Sequence, residues 1–243
     1  MFKFKKFRLI LLATIALVVT LIFDLLTRQP DLPPDNIVLA DLTDQSVVIA
    51  WTTSRATPGG VAVSTQPNRL LRTWEFCFRP KKFFADEINS TNHYVVVKNL
   101  AADTKYYYRI YSGGRFWKEG SAGQLLPNLK TLPVLVAPTL PNPIFGQILD
   151  QQRQPVAGAL VNLFLVNSSN HNLITSKTLV SYTDQKGFWQ LDLGNLRSFD
   201  GQAAMTVASQ DDLFVKIYAA DGRSQTGFYP LPARQNLGEI VLR

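Results

Sequence analysis

One cysteine, Cys77, occurs in 243 residues. A single thiol cannot close an intramolecular disulfide and cannot build a cysteine-rich zinc site. In a β-rich chain such a residue ordinarily serves as a small buried apolar group rather than a reactive thiol. Two histidines, His93 and His171, leave little for other metal centres. Neither Gly113-Gly114 nor the Gly120 to Gly123 stretch has the spacing of a phosphate loop or a dinucleotide fingerprint. A Gly-x-Ser-x-Gly elbow is also missing, so no nucleophile is marked by a local motif. These absences predict a non-enzymatic chain with no cofactor, no metal and no catalytic residues; its ligand-binding residues are left unassigned.

Disorder is excluded by a hydrophobic content of 46%, enough for two cores in a chain of this length. The net charge of +7 is misleading as a sign of nucleic-acid binding. Lys3, Lys5, Lys6, Arg8 and Arg28 against Asp24 place more than half of it in the first thirty residues, so no nucleic-acid partner is expected.

Those cations precede an uncharged run from Leu9 to Phe23 that continues through Asp24 to Leu25 and Leu26. At 1.5 Å per residue, residues 9–26 span roughly 27 Å as a helix, just short of a hydrocarbon core of ~30 Å. No small-x-small cleavage site comes after Phe23, which favours an uncleaved anchor over a cleaved signal peptide, the alternative that stays open. The positive-inside bias keeps residues 1–8 as a cytoplasmic basic tail and exports the remainder of the chain beyond the helix. The expected localisation is therefore the cell membrane, with a single pass at residues 9–26 and the C-terminal part extracytoplasmic.

Two proline clusters divide the remainder. Residues 27–33 contain Pro30 and Pro33 and read as a stiff stalk, because proline lacks the donor a helix needs. Residues 134–143 contain Pro138, Pro141 and Pro143 and read as a linker between domains at 34–133 and 144–243. Within the first domain Val47, Ile49 and Trp51 alternate with Val48 and Ala50. Val61 and Val63, then Trp74, Phe76 and Phe78, then Tyr106, Tyr108 and Ile110 repeat the period of two. This predicts strands with one buried face, and their spacing predicts a sandwich or barrel. In the second domain Asp184 to Gly187 suits a hairpin loop with a positive φ at glycine, and Pro155 and Gly158 suit a turn. Leu213 to Tyr218 and Leu237 to Leu242 read as closing strands, and the polar stretch from Arg197 to Gln210 reads as a loop, with a strand at Ala203 to Ala208 left open.

Leu100-Ala-Ala-Asp-Thr-Lys-Tyr106 resembles the tyrosine corner of fibronectin type III domains, whose phenol bonds to the backbone; Trp51 sits where such domains keep their core tryptophan. Asn36-Ile-Val38, Thr43-Asp44, Trp51-Thr-Thr53, His93-Tyr94 and the run Tyr106 to Gly114 are similar to the N-terminal domain of purple acid phosphatases. The phosphatase catalytic domain, with its metal ligands, is missing from the chain, so that activity is not carried over. Ile144 to Asp150, Gln154 to Val161 and Thr183 to Leu191 resemble carboxypeptidase regulatory-like domains, which are transthyretin-like sandwiches. Together the two resemblances imply an all-β chain, with two Ig-like and transthyretin-like sandwiches in tandem behind one transmembrane helix. The first strand of the second domain, Phe145 to Asp150, has no lysine, so an intramolecular Lys–Asn cross-link is not expected.

Several residues merit weighing for function. Asp211-Asp212 and Asp221-Gly222 offer too few oxygen ligands for calcium. The period of Trp74, Phe76 and Phe78 points to core packing, whereas Arg79, Lys81, Lys82, Phe83 and Phe84 are left open as an exposed loop. Tyr107 and Tyr111 form either an exposed aromatic stripe or ordinary cross-strand pairs. His93 opens a strand, and His171 lies in the loop Asn167 to Asn172. The expected work is binding or adhesion to an extracytoplasmic protein or glycan. The alternative is a structural subunit of a secretion or pilus assembly, with a hydrolase accessory role behind both.

Overall fold

The computed structural model describes residues 32–71, 82–86, 89–117, 126–134, 140–201, 203–205, 207–208, 211–230 and 235–243. The predicted membrane segment at residues 9–26 and the Trp74 to Phe78 strand, with Cys77, Arg79 and Lys81, lie outside them. Among the described residues no helix is long and apolar enough to cross a membrane. The described architecture is all-β apart from one short helix and one 3-10 turn.

Strands β1 (Asp35–Ala40), β2 (Val47–Thr57) and β5 (Ser90–Val97) form sheet A in the order β1-β2-β5. Facing it, sheet B runs β4 (Phe83–Ala85), β3 (Gly59–Ser64), β6 (Lys105–Ser112) and β7 (Arg115–Trp117), with β8 (Asn128–Lys130) beside β6. The inward positions of both sheets supply the core: Val47, Ile49 and Trp51 from β2, Val61 and Val63 from β3, Val95 and Val97 from β5, and Tyr106, Tyr108 and Ile110 from β6. The period of two read from the sequence is the physical cause of this layer.

Sheet C orders β13 (Phe188–Asp192), β9 (Pro143–Leu149) and β16 (Asn236–Val241) as β13-β9-β16, with β16 parallel to β9. Sheet D orders β11 (Asn170–Ile174), β10 (Leu160–Asn167), β14 (Asp211–Tyr218) and β15 (Ser224–Pro230), with β12 (Leu179–Tyr182) beside β10. Between them lies a second core, mostly aliphatic, that includes Ile144, Ile148, Leu163, Leu165, Leu213, Val215 and Ile217, with Trp189 among them.

Several expectations need correction. The loop from Asp184 to Gly187 turns tightly, with Gly187 at φ +74° and the Gly187 N–H donating to the Asp184 carbonyl at 3.0 Å. It does not join a hairpin: β12 belongs to sheet D and β13 to sheet C, so the turn carries the chain from one layer to the other. Among the described residues of 203–208 there is no strand; Ala204 makes one isolated bridge to Arg197. Phe83 and Phe84 are half-buried strand residues paired with β3 rather than an exposed loop. Strand β2 has both faces buried along Val47–Trp51, not one.

The reason for the last correction is a third buried cluster. Val38, Ala40, Val48, Ala50, Tyr94 and Val96 on the outer face of sheet A pack against Leu160, Val180, Tyr182 and Tyr218 on the outer face of sheet D. Residues 32–243 consequently form one compact unit. Polar bonds stitch the same junction. Asn92, almost fully buried, donates through Nδ2 to the carbonyls of Gly158 and Tyr218, at 2.8 Å each. Thr91 Oγ1 donates to the Ala220 carbonyl at 2.7 Å, and the Asp41 N–H donates to the Thr178 carbonyl at 3.0 Å. Burying apolar side chains of this kind contributes on the order of 2 kcal/mol each, enough to hold two sandwiches together once the polar groups are paired.

Candidate functional site: a cleft shared by the two sandwiches

Where the edge of the junction opens, a cleft of about 630 Å³ remains. One wall comes from the start of β1 and the middle of β2, with Asp35, Asn36, Thr52 and Ser54; the other comes from β14 and the turn into β15, with Lys216, Asp221 and Arg223. Local geometry fixes the first wall. Asn36 adopts φ +49°, a region asparagine tolerates better than most residues. From there its Nδ2 donates to Thr52 Oγ1 at 3.0 Å. On the second wall Asp221 accepts from Arg223 Nε at 2.8 Å and from Nη2 at 2.6 Å. That guanidinium holds the Asp221 carboxyl below the usual carboxylate range. The lining therefore presents hydroxyls, an amide and charges of both signs, which can hold a polar ligand by hydrogen bonds.

A second groove of about 520 Å³ lies along the open edge between β4 and β5. Phe84, Tyr94, Val96 and Tyr182 wall it, with Asp86 and Lys98 at its rim. Beside it, at the junction, Asp41 adopts φ +47° and accepts one bond on its carboxylate, from the Val180 N–H at 3.3 Å. Burial pushes its pKa up to about 7, partly offset by that bond. Burial, and then the Asp41 charge, push Tyr94 up to about 12.

His93 is fully buried and stacks on Trp51, with ring centroids 4.6 Å apart and planes 13° from parallel. Its Nδ1 lies 2.8 Å from Asp86 Oδ2 and its Nε2 lies 3.2 Å from Thr53 Oγ1. A hydroxyl, imidazole and carboxylate in a row is the pattern of an activated nucleophile. Here Thr53 Oγ1 donates to the Arg55 carbonyl at 2.8 Å, so its proton points away from the imidazole. The row pins the tryptophan instead. A Cβ at Gly59 would fall 2.5 Å from His93 Nδ1 and 2.8 Å from the Trp51 ring, so the stacked pair needs glycine there. Sequence reading weighed His93 for function but not Thr53 or Asp86, because Thr53 meets it through the pairing of β2 with β5 and Asp86 reaches it from the end of β4 in the facing sheet.

Other residues weighed for function are dispersed. His171 Nε2 lies 2.9 Å from Asp212 Oδ2 on the outer face of sheet D. Asp211 is buried and accepts from the Ala208 N–H at 2.9 Å, so the adjacent acids serve separate contacts. Among the described residues no three histidine, cysteine or acidic side chains converge on a common point. Tyr107 and Tyr111 form no exposed stripe. Leu70, in helix α1 (Pro67–Leu71), and Leu126 build a small cluster on the outer face of sheet B that takes in Phe83, Tyr107 and Phe116. Tyr111 meets Phe83 and Phe116 edge-on there, at 6.1 and 5.3 Å. The tyrosine corner is present: the Ala101 N–H donates to the Tyr106 hydroxyl at 2.9 Å.

With this geometry in hand, the chain can be set beside known proteins. Residues 34–122 match the model of the purple acid phosphatase N-terminal domain, a fibronectin-III-like fold. The match covers the first sandwich and less than half of the chain. Among solved structures, the sensor domain of the anti-sigma factor RsgI4 of Pseudobacteroides cellulosolvens is 16% identical over 45% of this chain and 98% of its own, with a TM-score of 0.30. A two-domain fibronectin type III segment of chicken tenascin is 13% identical over 82% of this chain and 99% of its own, with a TM-score of 0.25. The major pilin subunit BcpA of Bacillus cereus is 10% identical over 88% of this chain and 70% of its own, with a TM-score of 0.24. No curated protein matches the chain.

Proposed function

We propose that this chain is a non-catalytic binding module of the cell envelope, held by residues 9–26 in a membrane, that presents a polar ligand site made jointly by its two sandwiches. The observation that carries this reading is the shared cleft. Its walls belong to different domains, and the junction that sets their spacing is held by buried side-chain bonds such as those of Asn92. A spacer would need neither a fused junction nor a lined opening. The partner is an extracytoplasmic protein or glycan, recognised through hydroxyl, amide and carboxylate groups. Catalysis is not part of the proposal, because the one hydroxyl–imidazole–carboxylate row has a fully buried imidazole and a threonine proton aimed elsewhere. We further assign the second sandwich to the carboxypeptidase regulatory-like type. Supporting this are the motifs at 144–191 and the two glycines at positive φ, Gly158 and Gly187.

The test is binding of residues 32–243 to glycan arrays and to envelope extracts, with Ser54→Trp and Ser224→Trp as variants that fill the cleft from either wall. Capture by the parent and loss in both filled variants is expected. Silence across every array and extract, or capture undiminished by filling, would overturn the proposal.

A further inference from the structure

Among the described residues, the outer face of sheet D is covered at one end. Leu160, Val180 and Tyr218 lie under the first sandwich. On the same face, further along the same strands, Phe164 of β10 pairs with Phe214 of β14, which pairs with Phe228 of β15. Phe228 is 45% exposed, and at the opposite edge of the sheet Ile174 of β11, paired with Val166, is 41% exposed. A polar row, Asn162, Lys216 and Thr226, separates these rings from the buried end, and an aromatic row half open to solvent marks a candidate contact surface.

The arrangement of the rings says what fits. Phe164 and Phe214 stack with centroids 4.7 Å apart at 25°, and His171 stacks on Phe228 at 4.0 Å and 12°. Phe214 and Phe228 meet at 5.1 Å and 65°. Each of these rings thus has one face closed by a neighbour, and Phe214 meets Phe228 through an edge. A row of close-set rings can interdigitate with protein side chains as the inner faces of packed sheets do. Charge narrows the choice further. Asp212 and Lys216 flank Phe214 at alternate positions of β14, so they share this face with it. A copy of β14 crossing in the opposite direction at Phe214 sets each Lys216, whose ammonium in the single chain lies over Tyr218, against the other's Asp212, which also holds His171, and so makes the register of charges complementary to itself.

We propose that the open end of sheet D is a dimer face, on which a second copy of this chain packs its own Phe214 and Phe228 about a two-fold axis crossing β14. This goes beyond the ligand-binding reading and does not depend on it. The test places a photo-reactive benzoyl-phenylalanine at position 228 of the full chain in membranes, and a second time at the exposed Thr226 in case the first variant misfolds. A cross-linked species at about twice 27.2 kDa is expected. Lys216→Asp and Asp212→Lys should each cut its yield about tenfold, since each sets like charges opposite one another. The double variant should restore the yield, because the swapped charges again oppose. Absence of a two-copy species at both positions, cross-linking to glycan or another protein instead, single reversals without effect, or a double variant that stays uncoupled would each overturn the proposal.

Discussion

The covered and open ends of sheet D's outer face are built from the same strands at the same alternating positions, yet they differ in what polar groups do around them. At the covered end, Leu160, Val180 and Tyr218 meet sheet A, and Asn92 and Asp41 spend their side chains on carbonyl and amide groups of the second sandwich. At the open end, His171 and Asp212 pair with each other, and Phe228, with His171 stacked on one face, stays 45% exposed. Apolar alternation makes a face able to pack, but buried polar bonds decide which face is committed within the chain.

That contrast can be tested from its largest expected effect downward. Leu160→Ala, at a position 2% exposed in the covered end, should cost about 3 kcal/mol in thermal or denaturant unfolding, as cavities in buried aliphatic sites do. A cost under about 1 kcal/mol would mean that the covered end is not a core. Asn92→Ala strands two carbonyls at the junction and should cost about 2 kcal/mol, read from the urea midpoint.

Asp41 gives the contrast a pH signature. Its folded pKa stands at about 7, above the ordinary 3.8, so the folded state holds the proton more tightly than the unfolded chain. Its contribution is therefore full below about pH 4 and is lost progressively as pH rises to about 7. Asp41→Asn keeps a residue that tolerates positive φ and removes the charge. It should stabilise the protein by about 2 kcal/mol at pH 8 and flatten the fall in stability between pH 4 and 7. An unchanged pH profile would show that the junction does not bury this carboxyl. At the other extreme Phe228→Ser, on the open end, should change unfolding of monomeric residues 32–243 by under about 1 kcal/mol, since in the single chain its ring is half in solvent. A larger loss would make the two ends alike.

Much of the layer structure was legible in the chain. The alternation of Val47, Ile49 and Trp51 and of Tyr106, Tyr108 and Ile110 marks inward faces, and Ala101 and Tyr106 form the corner their spacing implied. Val48, Ala50 and Val96 were legible too, as apolar residues on the outward face; strands covered on both sides carry such runs. What covers them could not be read, because the partners at Leu160, Val180 and Tyr218 are more than 60 residues away and pairing across sheets leaves no local period. The same holds for Thr53, which meets His93 through the pairing of β2 with β5, and for Asp86, which reaches it from the end of β4 in the facing sheet. The turn at Asp184 to Gly187 shows another limit of spacing: turn chemistry fixes φ at Gly187 but is silent on whether the next strand returns to the same sheet.

Everything said of the cleft depends on the two sandwiches being one body. Calorimetry on residues 32–243 puts this to the test most directly. The fused junction predicts a single cooperative transition whose calorimetric and van't Hoff enthalpies agree, and which Leu160→Ala shifts as a whole. Two separable transitions, only one of them moved by that substitution, would contradict it.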